Sequence, residues 1–95
     1  MRGVLLDETA VDRAIARLGW ERDGDTIVKV VKGRNFADAL AWVNDVGALA
    51  EAADHHPDID IRWNTVTLRL TTHSEGGLTD KDVALAQQID GLGAP

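Results

Sequence analysis

Apolar residues recur along this chain with two alternating periods, and the changes of period divide it into seven elements. Val11, Ala14, Ile15 and Leu18 return at helical spacing. Asp7 or Thr9 can cap the start of that helix, and Gly19 stands where it would stop. The period then shortens. Asp23-Gly24 is a hairpin turn signal between residues 20–22 and the β-branched run 26–31, which predicts two paired strands. A long helical stretch follows. Asn35 is its predicted N-cap, supported by Asp38 three residues on. Its stripe is Phe36, Leu40, Val43, Val46 (or Gly47) and Ala50, broadened by Ala39, Trp42, Leu49 and Ala53. Pro57 cannot continue the helix and disfavours helical geometry at His56, so the helix exits at His55-His56.

Strict alternation takes over beyond the proline. Ile59, Ile61 and Trp63 share one face of a third strand, and Asn64-Thr65 reads as a turn. Val66, Leu68, Leu70 and Thr72 then share one face of a fourth strand. Thr67, Arg69, Thr71 and His73 take the other, with His73 closing the strand on its more polar side. SEGG, residues 74–77, reads as a loop. Thr79 and Asp82 form a capping box for a last helix, Leu78 can staple to Val83, and Gly91 and Gly93 end it. The order α-β-β-α-β-β-α predicts an α+β fold: a four-stranded antiparallel sheet with helices packed on one face. No repeat, low-complexity tract or linker interrupts it, so residues 1–95 read as a single domain.

Composition narrows the functional classes. At 95 residues the margin of stability is thin, and a core shared between copies would widen it. A formal net charge of -6, with Arg and Lys scattered, argues against direct nucleic-acid binding, which rests on neutralising phosphates. The absence of cysteine excludes disulfides, thiolate zinc sites and a cysteine nucleophile. No apolar run approaches the length that spans a bilayer. The stretch MRGVLLDETA has one arginine and no long apolar region after it, so no secretory signal and a cytoplasmic location are expected.

The candidate chemistry lies in the histidines. The chain has three, His55, His56 and His73. A lone histidine in a small domain is most often a surface or hydrogen-bonded structural residue. Here a helix exit and a strand end can meet at one rim of an antiparallel sheet, bringing three imidazoles together beside the carboxylates of Glu51 and Asp54. Imidazole both takes and gives a proton near neutrality, so such a cluster suits proton transfer. Glu51, one helical turn before His55, can orient that ring, although spacing alone favours a solvated charge on the helix face. A zinc or iron site is the competing reading. It is weaker, because adjacent histidines diverge and no H-E-x-x-H spacing occurs. Ser74, the only serine, lacks a nucleophile-elbow context, and Gly76-Gly77 is too short for a phosphate loop. Asp82 can reach the site, but its capping role accounts for it. Trp63 is more often core at such a position, though an indole at a rim can stack on a planar heterocycle.

These residues resemble the motif of the pterin-4a-carbinolamine dehydratase family. Glu51, His55-His56-Pro57, Trp63, His73 and Asp82 stand at its spacings, and both TTHSEGGLTDKDVALAQQID and LGWERDGDTIVKVV are similar to family segments. The likeness covers nearly the whole chain. It implies removal of water from a 4a-hydroxytetrahydropterin to give the quinonoid dihydropterin, which supports tetrahydropterin recycling. It implies no metal and no cofactor, since the pterin is the substrate. By the same resemblance His55 and His73 share general acid and base work, and His56 binds and orients the pterin. Glu51, Asp54 and Trp63 help bind it, with Asp82 nearby. Arg62 before the aromatic and Trp42 in the long helix depart from the pattern, and neither touches the histidine set. A homodimer or homotetramer is also implied, with the alanine- and tryptophan-bearing helix facing a copy. Two other readings stand beside this one: a non-catalytic interaction or assembly factor on the same fold, as some relatives are, and action on a pterin related to the molybdenum cofactor.

Overall fold

A computed structural model describes residues 4–95, so the first three positions of the N-terminal stretch read above for a secretory signal lie outside the described residues. The elements are α1 (Glu8–Ala16), β1 (Glu21–Asp23), β2 (Thr26–Lys32), α2 (Phe36–Ala53), β3 (Asp58–Arg62), β4 (Thr65–Leu70), a 3-10 turn (His73–Glu75) and α3 (Asp80–Asp90). The strands form one antiparallel sheet in the order β1-β2-β4-β3. This is the α+β arrangement expected from the periodicity.

The alternation of β4 sets the layers. Val66, Leu68 and Leu70 are fully buried beneath the helices. In register, Leu70 lies opposite Ile27, and Ile61 flanks Val66 on the other side. The helices contribute Val11 from α1, Ala39, Val46 and Ala50 from α2, and Leu85, Ala86 and Ile89 from α3. Burying a Leu or Ile side chain contributes about 1.5–3 kcal/mol. No helix among the described residues is long and apolar enough to cross a membrane.

A lysine lies on the apolar face of the sheet. Lys29 pairs in register with Leu68, and its Nζ reaches Asp90 Oδ1 at 3.0 Å. The Trp20 indole donates to the same oxygen at 2.9 Å, and the Gly19 N–H to Oδ2 at 3.3 Å. An acidic residue at a helix C-terminus opposes the helix dipole, so Asp90 depends on these partners. Burial works to raise its carboxyl, and the hydrogen bonds from Lys29, Trp20 and Gly19 outweigh that and hold it below its ordinary range.

Three local expectations are corrected. The buried stripe of α2 runs through Ala39, Trp42, Val46 and Ala50, while Phe36 and Leu40 lie on its exposed flank. Trp42 is buried in that stripe and donates from Nε1 to the Gly93 carbonyl at 3.0 Å, so it ties the C-terminal segment to α2. The β3–β4 turn is centred on Trp63 and Asn64, one residue earlier than expected, with Thr65 already in β4. Trp63 has a φ of 51° and so leaves the strand face predicted for it. Asn64 fixes this turn by donating to the Gly33 carbonyl at 2.8 Å and accepting the Gly33 N–H at 2.9 Å.

Candidate active site

Two chain reversals at one end of the sheet build a cleft. The first ends α2. Asp54 adopts the left-handed region (φ 49°), its N–H bonds to the Glu51 carbonyl and the His55 N–H bonds to the Ala50 carbonyl. That pairing is a Schellman ending, and aspartate tolerates the left-handed conformation better than most residues. The second reversal follows β4. Thr72 pairs with Gly77 in an isolated antiparallel bridge, and His73–Glu75 forms the 3-10 turn between them. His73 therefore opens a turn instead of closing the strand as expected, and it stays exposed.

The cleft has a volume of 260 Å³ and is lined by Asp54, His55, His56, Thr71, Thr72, His73, Ser74 and Lys81. The three histidines thus meet at one rim, with Asp54 beside them. The two adjacent imidazoles have different partners. His55 Nε2 lies 2.5 Å from Asp82 Oδ1, with the ring 11% exposed and the carboxylate 0% exposed. His56 Nε2 pairs with Glu51 Oε2 in the open, at 56% and 78% exposure. Glu51 thus orients His56 and not His55. The left-handed residue breaks the helical register, so the ring one turn beyond Glu51 swings inward and the next ring takes its place.

Asp82 does more than the capping role assigned to it from sequence. Its Oδ2 closes the capping box by accepting the Thr79 N–H at 2.9 Å, and it also accepts the Thr72 hydroxyl at 2.8 Å. A carboxylate has two acceptor oxygens, so Oδ1 remains for His55. Trp63 is not brought to the cleft. It sits 68% exposed at the opposite end of β3, a five-residue strand about 17 Å long, from the histidines. Lys81, Thr71 and Thr72 line the cleft without having been singled out as site residues in the sequence. For Lys81 the only available signal was its place beside Asp82 in the first turn of α3. Among the described residues no three His, Asp or Glu side chains are arranged to hold a metal ion.

A buried carboxylate fixing one imidazole, with two more imidazoles at the same rim, is an arrangement for moving protons. The family model for pterin 4 alpha carbinolamine dehydratase matches residues 4–92. The chain belongs to the pterin-4-alpha-carbinolamine dehydratase family. It is 56% identical over 90 residues to a protein of Mycolicibacterium vanbaalenii provisionally named for this dehydratase, covering 94% of this chain and 96% of that one. A similarly named protein of Mycobacteroides abscessus is 52% identical, with 90% and 93% covered. The fold is also that of a crystal structure described as a transcriptional coactivator/pterin dehydratase from Brucella melitensis. That likeness has a TM-score of 0.87 at 30% identity and covers 92% of this chain and 96% of that one. A pterin dehydratase-like protein identified as a RuBisCO assembly factor of the alpha-carboxysome shares the fold, with a TM-score of 0.64 at 21% identity over 82% of this chain and 92% of that one.

Proposed function

We propose that the chain dehydrates a 4a-hydroxytetrahydropterin to the quinonoid dihydropterin by metal-free histidine acid/base catalysis, as a step in tetrahydropterin recycling. The observation that carries this reading is the meeting of His55, His56 and His73 at one cleft, with His55 backed by buried Asp82. In the reaction a base takes the ring N–H proton, an acid protonates the hydroxyl on the neighbouring carbon, the C–O bond breaks, and water leaves as the C=N bond forms. His55 and His73 hold these two roles, one each. His56, steadied by Glu51, binds and orients the pterin, and Asp54 and the Lys81 ammonium offer further polar contacts at the rim. A stopped-flow assay tests the reading: a 4a-hydroxytetrahydropterin is generated with chelator present, and its loss is followed against spontaneous dehydration. Acceleration that falls about a hundredfold or more in His55→Ala and His73→Ala is expected. No acceleration by folded protein would overturn the reading.

The exposed Phe36 and Leu40 on α2 favour an additional contact with a copy of the chain or another protein. We propose a homodimer or homotetramer through that flank. Light scattering across a concentration series checks it, and a stable monomer would contradict it.

A further inference from the structure

The polar cluster behind the cleft has a direction, and that direction ends at His55. Thr72 is 4% exposed, and Thr79 and Asp82 are 0% exposed. A backbone N–H can only donate, a carboxylate can only accept, and each hydroxyl has one proton. The Lys81 N–H donates to Thr79 Oγ1 at 3.2 Å. Thr72 Oγ1 lies 2.8 Å from Asp82 Oδ2 and 2.8 Å from Thr79 Oγ1. Its single proton is directed to Oδ2, so the Thr79 hydroxyl must be the donor between the two threonines. One chain results, from the Lys81 N–H to Thr79, from Thr79 to Thr72, and from Thr72 to Asp82. Oδ2 is then filled by the Thr72 hydroxyl and the Thr79 N–H, and Oδ1 is left as the acceptor facing His55 Nε2.

We propose that Thr72 is a positioning residue that, through Asp82, holds the His55 ring with its hydrogen on Nε2 and leaves Nδ1 bare for a molecule in the cleft. A neutral imidazole has one N–H, and the partner of one nitrogen decides the state of the other. The opposite tautomer would set the Nε2 lone pair against Oδ1 inside the protein, where an unpaired polar contact is most costly. Nδ1 makes no hydrogen bond among the described residues. The inference rests on the dehydratase reading in one respect, since it names the nitrogen of His55 that meets substrate; the tautomer itself is independent of turnover. The competing explanation is that the threonines only fasten the end of β4 to α3. In that case removing the Thr72 hydroxyl would weaken the fold and leave the imidazole unchanged.

Long-range proton–nitrogen NMR of the histidine rings separates these explanations, recorded at about pH 8.5, two units above the ordinary imidazole range. The wild-type protein is expected to show His55 with a pyrrole-like Nε2 and a pyridine-like Nδ1. In Thr72→Val the Thr79 hydroxyl loses its acceptor and Oδ2 keeps only the Thr79 N–H, so the carboxylate can turn. The two nitrogen shifts should then move toward an averaged value, and Thr72→Ser should restore them. Turnover of a 4a-hydroxytetrahydropterin should fall about tenfold at unchanged KM, less than the loss of an acid/base group, and recover in Thr72→Ser. A wild-type His55 with its hydrogen on Nδ1 would overturn the proposal. So would a folded Thr72→Val with the wild-type ring pattern. If the valine variant fails to fold, Thr72→Cys replaces it, since a thiol is a weak donor, with the same expected and overturning results. The expected tautomer in a protein that does not accelerate dehydration would sink the dehydratase reading and leave this assignment standing; the wrong tautomer in an active protein would do the reverse.

Discussion

His55 and His56 are neighbours in sequence and each ring meets a carboxylate, yet the two pairs differ in nearly every physical respect. The partner of His56 is in the last turn of α2, five residues back, and both groups stand in water. The partner of His55 comes from α3, 27 residues on, and is sealed from solvent with its second oxygen filled by two donors. An exposed ion pair contributes at most about 1 kcal/mol, because solvent screens it and two side chains must be ordered to form it. A buried carboxylate stripped of its partners leaves unsatisfied groups, at a cost of about 3–5 kcal/mol. Adjacent imidazoles of the same chemistry are thereby divided into one fixed ring and one adjustable ring. That division suits a site in which one group must hold its geometry while another follows the substrate.

The sharpest way to break this contrast is Asp82→Asn. It keeps the shape and replaces an acceptor oxygen with a donor at the His55 contact or the capping contact. Dehydration is expected to slow a hundredfold or more, as when a catalytic imidazole loses its orienting carboxylate. Urea unfolding should show a loss of about 3 kcal/mol. His73→Ala comes next. Its turnover should fall about a hundredfold, while its unfolding free energy in urea titration stays within about 0.5 kcal/mol of wild type, because the side chain is exposed. A large stability loss there would mean that His73 is structural.

Asp90 extends the contrast to a carboxylate outside the site. Asp90→Asn should cost about 1–2 kcal/mol of stability with turnover retained, since it weakens hydrogen bonds made to a charged group at a partly exposed position. Its carboxyl is held below the ordinary range against the effect of burial. The stabilisation is therefore complete above the ordinary carboxylate range and is lost as pH falls through the lowered value. Urea midpoints of wild type and variant should lie apart near neutrality and converge on acidification. A gap independent of pH would contradict the assignment. The smallest effect is expected from Glu51→Gln, below about 0.5 kcal/mol in stability and weakened further by salt.

The sheet, the element order and the caps were legible in the sequence because each leaves a local mark. Alternation placed Val66, Leu68 and Leu70 in the core, and T-D-K-D announced the capping box. The departures arose where a single residue left its regular conformation. Trp63 takes a positive φ that bulky residues rarely adopt, so the strand pattern ran through it and carried it to the wrong face. The meeting of the three histidines was expected from the strand and helix ends, but their partners were not. Asp54, although a good candidate for a left-handed position, gave no warning that it would rotate His55 away from Glu51. Thr79 and Asp82 marked a capping box, which leaves open what the second carboxylate oxygen does. That oxygen's partner is set by tertiary packing, and no spacing within α3 encodes it.

Side-by-side stopped-flow dehydration of a 4a-hydroxytetrahydropterin by wild type, Asp82→Asn and Glu51→Gln tests the central claim most directly. The account predicts a loss of at least about a hundredfold for Asp82→Asn and about threefold for Glu51→Gln. Equal losses in the two variants, or full activity in folded Asp82→Asn, would contradict it.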